Sequence, residues 1–183
     1  MTLTAPVPAA SAVSVVPGVS LPVRRAAKAA ALTLLPSGLW RVLIAVGIPV
    51  GWKAGDALHA DNFPGIGSLY LIALSTFAEC LGLLTLGLVQ RWGEEVPRWI
   101  PRLGGRRIPP PAAVVPAALG AVAVTVITVL SAFGWNANFT QSPTAPSGAA
   151  YWFMTLCYAP LLLWGPLLAL VTAAYWRRRR LHG

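Results

Sequence analysis

Acidic residues are scarce in this sequence, and charge of either sign is uncommon. Only five of the 183 residues are Asp or Glu, against 14 Lys or Arg, and charged residues make up 10% of the chain. In a soluble domain roughly a quarter of the residues are charged, so this chain has too few polar side chains to cover a water-exposed surface. The basic residues lie in clusters between apolar runs rather than on one basic face, which argues against nucleic acid as a partner. The composition therefore predicts an integral membrane protein.

Cysteine is equally rare, since Cys80 and Cys157 are the only two, and each falls within an apolar run. Two separated cysteines make no CxxC or Cys/His motif. The sequence also has no nucleophile elbow, phosphate-binding loop or HExxH. Asp56, His59 and Asp61 share one loop, but a solvated loop explains two carboxylates and one imidazole better than a closed metal site does. We therefore predict no metal and no cofactor.

The sequence does contain long apolar segments. A spanning helix needs about 20 mostly apolar residues, and four segments meet this requirement: residues 37–57, 65–90, 112–135 and 151–176. The predicted fold is all-α, a four-helix transmembrane bundle over residues 36–176 followed by a basic C-terminus at 177–183. Pro160 and Pro166 are expected to kink the fourth segment. Residues 1–35, rich in Ala, Val, Pro and Ser, are predicted to form a flexible cytoplasmic N-terminal tail. Within it, residues 26–35 are expected to form a short helix on the membrane before Pro36 and Gly38 break it.

The basic residues gather on one side of these four segments. Three precede the first segment, five lie between the second and third, and four follow the fourth: Arg24, Arg25 and Lys28, then Arg91, Arg98, Arg102, Arg106 and Arg107, then residues 177–180. The long side chain of Arg41 is expected to reach the same face. By the positive-inside rule, both termini and the 91–111 loop are predicted to be cytoplasmic, in a multi-pass protein of the plasma membrane.

The 91–111 loop combines basic residues with tryptophans and prolines. Its prolines exclude a long regular helix, so we expect an elbow lying along the membrane. Arg98, Arg102 and Arg106 recur every four residues and would share one face of a helical turn. The residues predicted to contact anionic phospholipid headgroups, or a cytoplasmic protein partner, are Trp92, Arg98, Trp99, Arg102, Arg106 and Arg107. The alternative is an ordinary positively charged loop with no selective ligand.

The run RWGEEVPRWIPRLGGRRIPPPAAVVPA, residues 91–117, resembles a loop of uncharacterised multi-pass membrane proteins of actinobacteria. The matching positions are Trp92, Gly93, Pro97, Arg98, Trp99, Pro101, Gly104, Gly105, Arg106, Arg107 and Pro109. The resemblance carries no catalytic role over to this chain.

Glu79 is the one charged residue of the second predicted span, and it lies near the middle of that span. An ionised carboxylate at that depth is costly unless it is paired or faces water. Three interpretations are open. Glu79 pairs with Arg41, or it stays protonated and hydrogen-bonds Ser75, Thr76 or another helix, or it lines a cavity as a proton or cation site. Glu79 and Arg41 are therefore the candidate intramembrane site residues.

These observations favour a non-catalytic membrane protein that handles a small solute or a lipid. The second hypothesis is a membrane adaptor that binds a cytoplasmic partner through the 91–111 loop. The third is a membrane-embedded enzyme acting on a lipidic substrate, with Glu79, Tyr158 and His59 as its only acid–base groups. The enzyme is disfavoured because His59 lies outside the predicted spans.

Overall fold

The structure is a computed structural model that describes residues 16–95 and 104–181. Most of these residues are α-helical, and the helices are α1 Leu21–Leu32, α2 Leu35–Ala45, α3 Ile66–Gly87, α4 Pro110–Thr140, α5 Ala149–Tyr158 and α6 Leu161–Leu181. Short 3-10 turns form at Ala60–Asn62 and Arg91–Gly93, and no strand forms within the described residues. The predicted all-α class is confirmed.

The helices make four segments that are long and apolar enough to span a membrane. Two of the segments are pairs of consecutive helices, and the four are Leu21–Ala45, Ile66–Gly87, Pro110–Phe139 and Ala149–Leu181. The second, third and fourth lie close to the predicted residues 65–90, 112–135 and 151–176. Hydrophobic length is therefore a sound guide to these three.

The first segment lies elsewhere in the chain than predicted. It covers Leu21–Ala45 instead of 37–57. Most of the described part of the expected tail, residues 16–35, is helical, whereas a helix was expected only over residues 26–35. The alanines of α1 explain the difference, because Ala27 and Ala30 are fully buried. Small side chains allow neighbouring helices to approach closely, and this packing stabilises a helix whose own sequence is only weakly apolar.

The four segments run alternately up and down. We call one end of the bundle the basic end, because the start of α1 with Arg24, Arg25 and Lys28, the start of α4 after Arg106 and Arg107, and the end of α6 lie there. α1 packs on α3 and α6, α2 packs on α3 and α5, and α4 packs on α6. At the basic end, the N–H of Val16 donates to the carbonyl of Val89 at 3.3 Å. At the opposite end, the N–H of Lys53 donates to the carbonyl of Thr144 at 2.9 Å. These contacts fix which helix ends lie together.

Arginines at the end of α6 bind the connection between α3 and α4. Arg178 donates to the Glu94 carboxylate at 2.6 Å and lies 5.4 Å from the centre of the Tyr175 ring. Arg179 donates to the carbonyl of Ile108 at 3.0 Å, and the N–H of Ile108 donates to the carbonyl of Glu94 at 2.9 Å. The two ends of the 91–111 loop are therefore held against each other and against α6.

Candidate functional site

The first segment is interrupted near its middle, between α1 and α2. The N–H of Leu34 donates to Ala31 O rather than continuing the α-helical pattern. The carbonyl of Ala30 therefore lacks its α-helical partner, and the hydroxyl of Thr33 donates to it instead at 2.7 Å. Pro36 lies in the first turn of α2, where a missing N–H is tolerated. The chain thus passes from one helix to the next without an extended loop.

The fourth segment is interrupted as well. α5 ends at Tyr158 and α6 begins at Leu161, so the kink expected at Pro160 is a break between two helices. Pro166, by contrast, lies inside α6 without ending it. The break places Cys157 and Tyr158 at the carboxyl end of a helix in the interior of the bundle.

Arg41, on α2, is buried inside the bundle with only 6% of its surface exposed. Its Nε donates to the Ser75 hydroxyl at 3.0 Å, and its guanidinium carbon lies 5.8 Å from the centre of the Tyr158 ring. The hydroxyl and the ring face both interact favourably with a buried cation. Ser75 lies about 14 Å along α3 from the first residue of that helix, near its middle. Arg41 therefore does not reach the basic end, contrary to the expectation from sequence.

The Tyr158 ring is held beside Arg41 by other aromatic side chains. It packs on Trp135 of α4 with 5.3 Å between ring centres, and Trp135 packs on Phe139 at 4.6 Å. The indole N–H of Trp135 donates to the Thr155 hydroxyl at 2.9 Å, which satisfies the polar edge of that ring. The sequence had suggested Tyr158 only as an acid–base group, and no local pattern showed that it faces Arg41.

Glu79 lies one helical turn from Ser75 on α3, towards the basic end. Its Oε1 is 3.0 Å from the position that a Cβ would take on Gly38, so the glycine leaves room for the carboxylate against α2. Among residues 16–95 and 104–181, no side chain forms a hydrogen bond or an ion pair with this carboxylate. The suggested pairing with Arg41 is not formed, because the Arg41 Nε is hydrogen-bonded to Ser75 and the guanidinium lies over Tyr158. A direct hydrogen bond from Glu79 to Ser75 or Thr76 is not formed either.

Glu79 lines a groove between α2 and α3 with a volume of about 930 Å³. Apolar side chains of α2 form one wall and polar side chains of α3 form much of the other. The lining residues are Leu35, Pro36, Gly38, Leu39, Val42, Ser75, Thr76, Glu79, Cys80, Leu83 and Cys157. Leu35 and Pro36 belong to the start of α2 and Cys157 to the end of α5, so both helix breaks border the groove. An arrangement of this kind suits an amphiphilic ligand with one polar group.

The remaining predicted site residues lie elsewhere. Trp92 packs its ring on Gly87, where a Cβ would lie 2.7 Å from the ring, and its indole N–H bonds to Gln90. Arg106 and Arg107 are exposed at the basic end. The other predicted loop contacts, Arg98, Trp99 and Arg102, lie outside the described residues.

His59 is separate from the groove. It lies before α3, and its Nδ1 is 3.3 Å from the Asp61 carboxylate. Glu79 lies about 20 Å along the axis of α3 from the first residue of that helix. Asp56 accepts hydrogen bonds from Leu58 N–H and from the Thr144 hydroxyl, both at 2.9 Å. The described part of the chain contains no group of three His, Cys, Asp or Glu side chains placed to hold a metal. The structure thus does not bring His59, Glu79 and Tyr158 together as one acid–base site.

These features define a class: an all-helical protein with four segments suited to spanning a membrane and a mainly apolar groove that contains Glu79 beside two helix breaks. Comparison with protein-family models, with curated proteins and with solved structures found no match. The resemblance of residues 91–117 to actinobacterial membrane proteins stays a prediction.

Proposed function

We propose that this is a multi-pass protein of the plasma membrane that binds a small solute or a lipid in the groove beside Glu79. The surface of α4 supports the membrane setting, because Leu119, Val122 and Phe133 expose 66%, 64% and 85% of their area. Contiguous apolar surface of this extent matches a hydrocarbon environment better than water. In that setting each helix satisfies its own backbone hydrogen bonds, as a spanning segment must.

The charge distribution supports cytoplasmic termini. The basic residues of α1 lie in its first two turns, those of α6 in its last turns, and Arg106 and Arg107 precede α4, so all lie at the basic end of the bundle. The displaced first segment leaves this asymmetry unchanged. The positive-inside rule then assigns the basic end to the cytoplasm.

The observation that carries the proposed binding function is the position of the two helix breaks at the edge of a groove that contains a carboxylate. Breaks in spanning helices are tolerated where the backbone is covered by protein or lines a cavity. Discontinuous helices that border ionisable side chains are a recurring architecture of substrate sites in membrane transporters. Here Pro36 and Cys157 mark the two breaks, and Glu79 lies on the helix between them.

The geometry favours binding over catalysis. Acid–base work by a pair of carboxylates needs both within reach of one substrate, and Glu79 is the only carboxylate among the residues that line the groove. His59 lies in a loop beyond the end of α3. The groove therefore has the parts of a binding site and lacks a paired acid and base.

Native mass spectrometry of the protein extracted gently from its own membrane tests the proposal. We expect a retained lipid or small molecule in the wild-type protein, its loss in Glu79→Gln, and its retention in Glu95→Gln. The control removes a carboxylate of the same size from an exposed position outside the groove. A chain that carries nothing in all three forms would refute the proposed function, and a stoichiometric complex with another polypeptide would favour the adaptor hypothesis.

A further inference from the structure

The charge that lines the groove is negative. The Glu79 carboxylate belongs to the lining and has no hydrogen-bond or ion-pair partner among the described residues. Arg41 is not among the lining residues, since its side chain is buried against Ser75 and Tyr158. A ligand that enters the groove therefore meets a carboxylate and not a guanidinium.

An uncompensated carboxylate in a hydrocarbon environment requires neutralisation, either by a proton or by a cation that comes with the ligand. Arg41 does not serve this purpose by direct contact, because no ion pair joins it to Glu79 in the described part of the chain. Gly38 lets the carboxylate lie directly against α2, since a Cβ there would be 3.0 Å from Oε1. A cationic group in the groove would give Glu79 the ion-pair partner that no described residue supplies.

The walls of the groove define the rest of the ligand. Leu35, Leu39 and Val42 of α2 expose 52%, 61% and 43% of their surface, and Leu83 of α3 exposes 58%. Leu35, Leu39 and Val42 recur at helical spacing, so they present one continuous apolar stripe along the groove. In the hydrocarbon environment of a membrane, this stripe offers an apolar wall on which the apolar groups of a ligand can pack.

We infer that the groove binds a lipophilic cation, with its positive charge at the Glu79 carboxylate and its apolar groups along the α2 stripe of Leu35, Leu39 and Val42. This inference rests on the proposed function and specifies the ligand class of the same site. A lipophilic amine and an amine-bearing lipid headgroup share this chemistry.

A pair of ions with matched shape and opposite charge tests this inference. Tetraphenylphosphonium and tetraphenylborate have nearly the same size, so a difference between them reports charge. Their binding is measured by equilibrium dialysis to the full chain in phosphatidylcholine nanodiscs, and the amount taken up by empty nanodiscs is subtracted. We expect the wild-type protein to bind the phosphonium at least tenfold more tightly than the borate. Glu79→Gln is expected to abolish this preference, whereas Glu95→Gln keeps it.

The two native cysteines report where the ion binds. Cys80 and Cys157 both line the groove and are the only cysteines of the chain, so bound phosphonium should slow their alkylation by N-ethylmaleimide. This readout and the comparison of the two ions in wild-type protein need no variant, and they remain decisive if Glu79→Gln fails to fold.

Equal binding of the two ions, tighter binding of the borate, or a preference that survives Glu79→Gln would overturn the inferred cation. If the native protein retains a lipid or solute while the borate binds more tightly, only the ligand class is refuted. If neither ion protects the cysteines and mass spectrometry finds no retained molecule, the proposed function fails with it.

Discussion

Replacing Gly165 with alanine should force α6 away from α4. A Cβ at this position would overlap the Thr125 hydroxyl, and it would lie 2.9 Å from Thr125 N and 3.1 Å from Ala121 O. Ordinary contact begins at 3.4 Å. The hydroxyl can rotate away, but the two backbone atoms belong to α4 and move only with the helix. The methyl group therefore displaces one helix by about half an ångström or strains both.

The size of the effect is best measured against a matched control. Overpacking of this kind costs about 1–3 kcal/mol, whereas alanine in place of glycine in a helix stabilises by up to about 1 kcal/mol. Gly120→Ala on α4 makes the same exchange at a position where a Cβ meets nothing within 4 Å. The propensity gain is common to both variants, so the difference of about 1–3 kcal/mol between them reports the clash alone.

Thermal unfolding of the purified protein in one detergent, followed by tryptophan fluorescence, measures this difference. Gly165→Ala should unfold at a lower temperature than the wild-type protein, and Gly120→Ala at the same or a slightly higher temperature. Two variants with the same midpoint would show that α4 and α6 do not approach as the structure describes.

Three further predictions concern the basic end, the aromatic support of the site and the topology. Glu94→Arg should lower the unfolding temperature, and adding Arg178→Glu should restore it, because the pair is 2.6 Å apart with side chains only 12% and 19% exposed. A double variant no better than Glu94→Arg would contradict the pairing. Thr155→Val removes the acceptor of the Trp135 indole N–H and should destabilise by about 1–3 kcal/mol in the same unfolding assay. Thr128→Val is the control, since that hydroxyl bonds only carbonyls of its own helix, and equal losses would refute the contact between helices. The topology is tested in a chain whose two cysteines are replaced by serine. In that chain, the cysteine of Ser147→Cys should react with a membrane-impermeant maleimide in intact cells, and the cysteine of Arg106→Cys only after lysis. The reverse pattern would invert the topology.

Most of the architecture was predictable from the sequence. The segments beginning at Ile66, Pro110 and Ala149 were found because a long, mostly apolar run predicts a spanning helix from its own composition. The first segment was misplaced because α1 contains three basic residues and gains its stability from contacts of Ala27 and Ala30 with other helices. Pro36 also suggested a boundary, whereas the structure uses it at the start of α2.

The candidate site was predicted only in part. Glu79 and Arg41 were identifiable because ionisable residues are rare in apolar helices. Their partners were not, and the structure pairs Arg41 with Ser75 and Tyr158 and leaves the Glu79 carboxylate in a groove. A serine and a tyrosine in apolar runs have many structural roles, so nothing in their local sequence distinguishes these two.

The sequence alone thus determined the all-helical class, three of the four long apolar segments and the basic end, because these depend on the summed composition of contiguous residues. The tertiary structure alone decided where the first segment begins, which group meets Arg41 and that Glu79 lines a groove bordered by two helix breaks. These features depend on the distances and rotations between helices far apart in the chain, which no local pattern specifies.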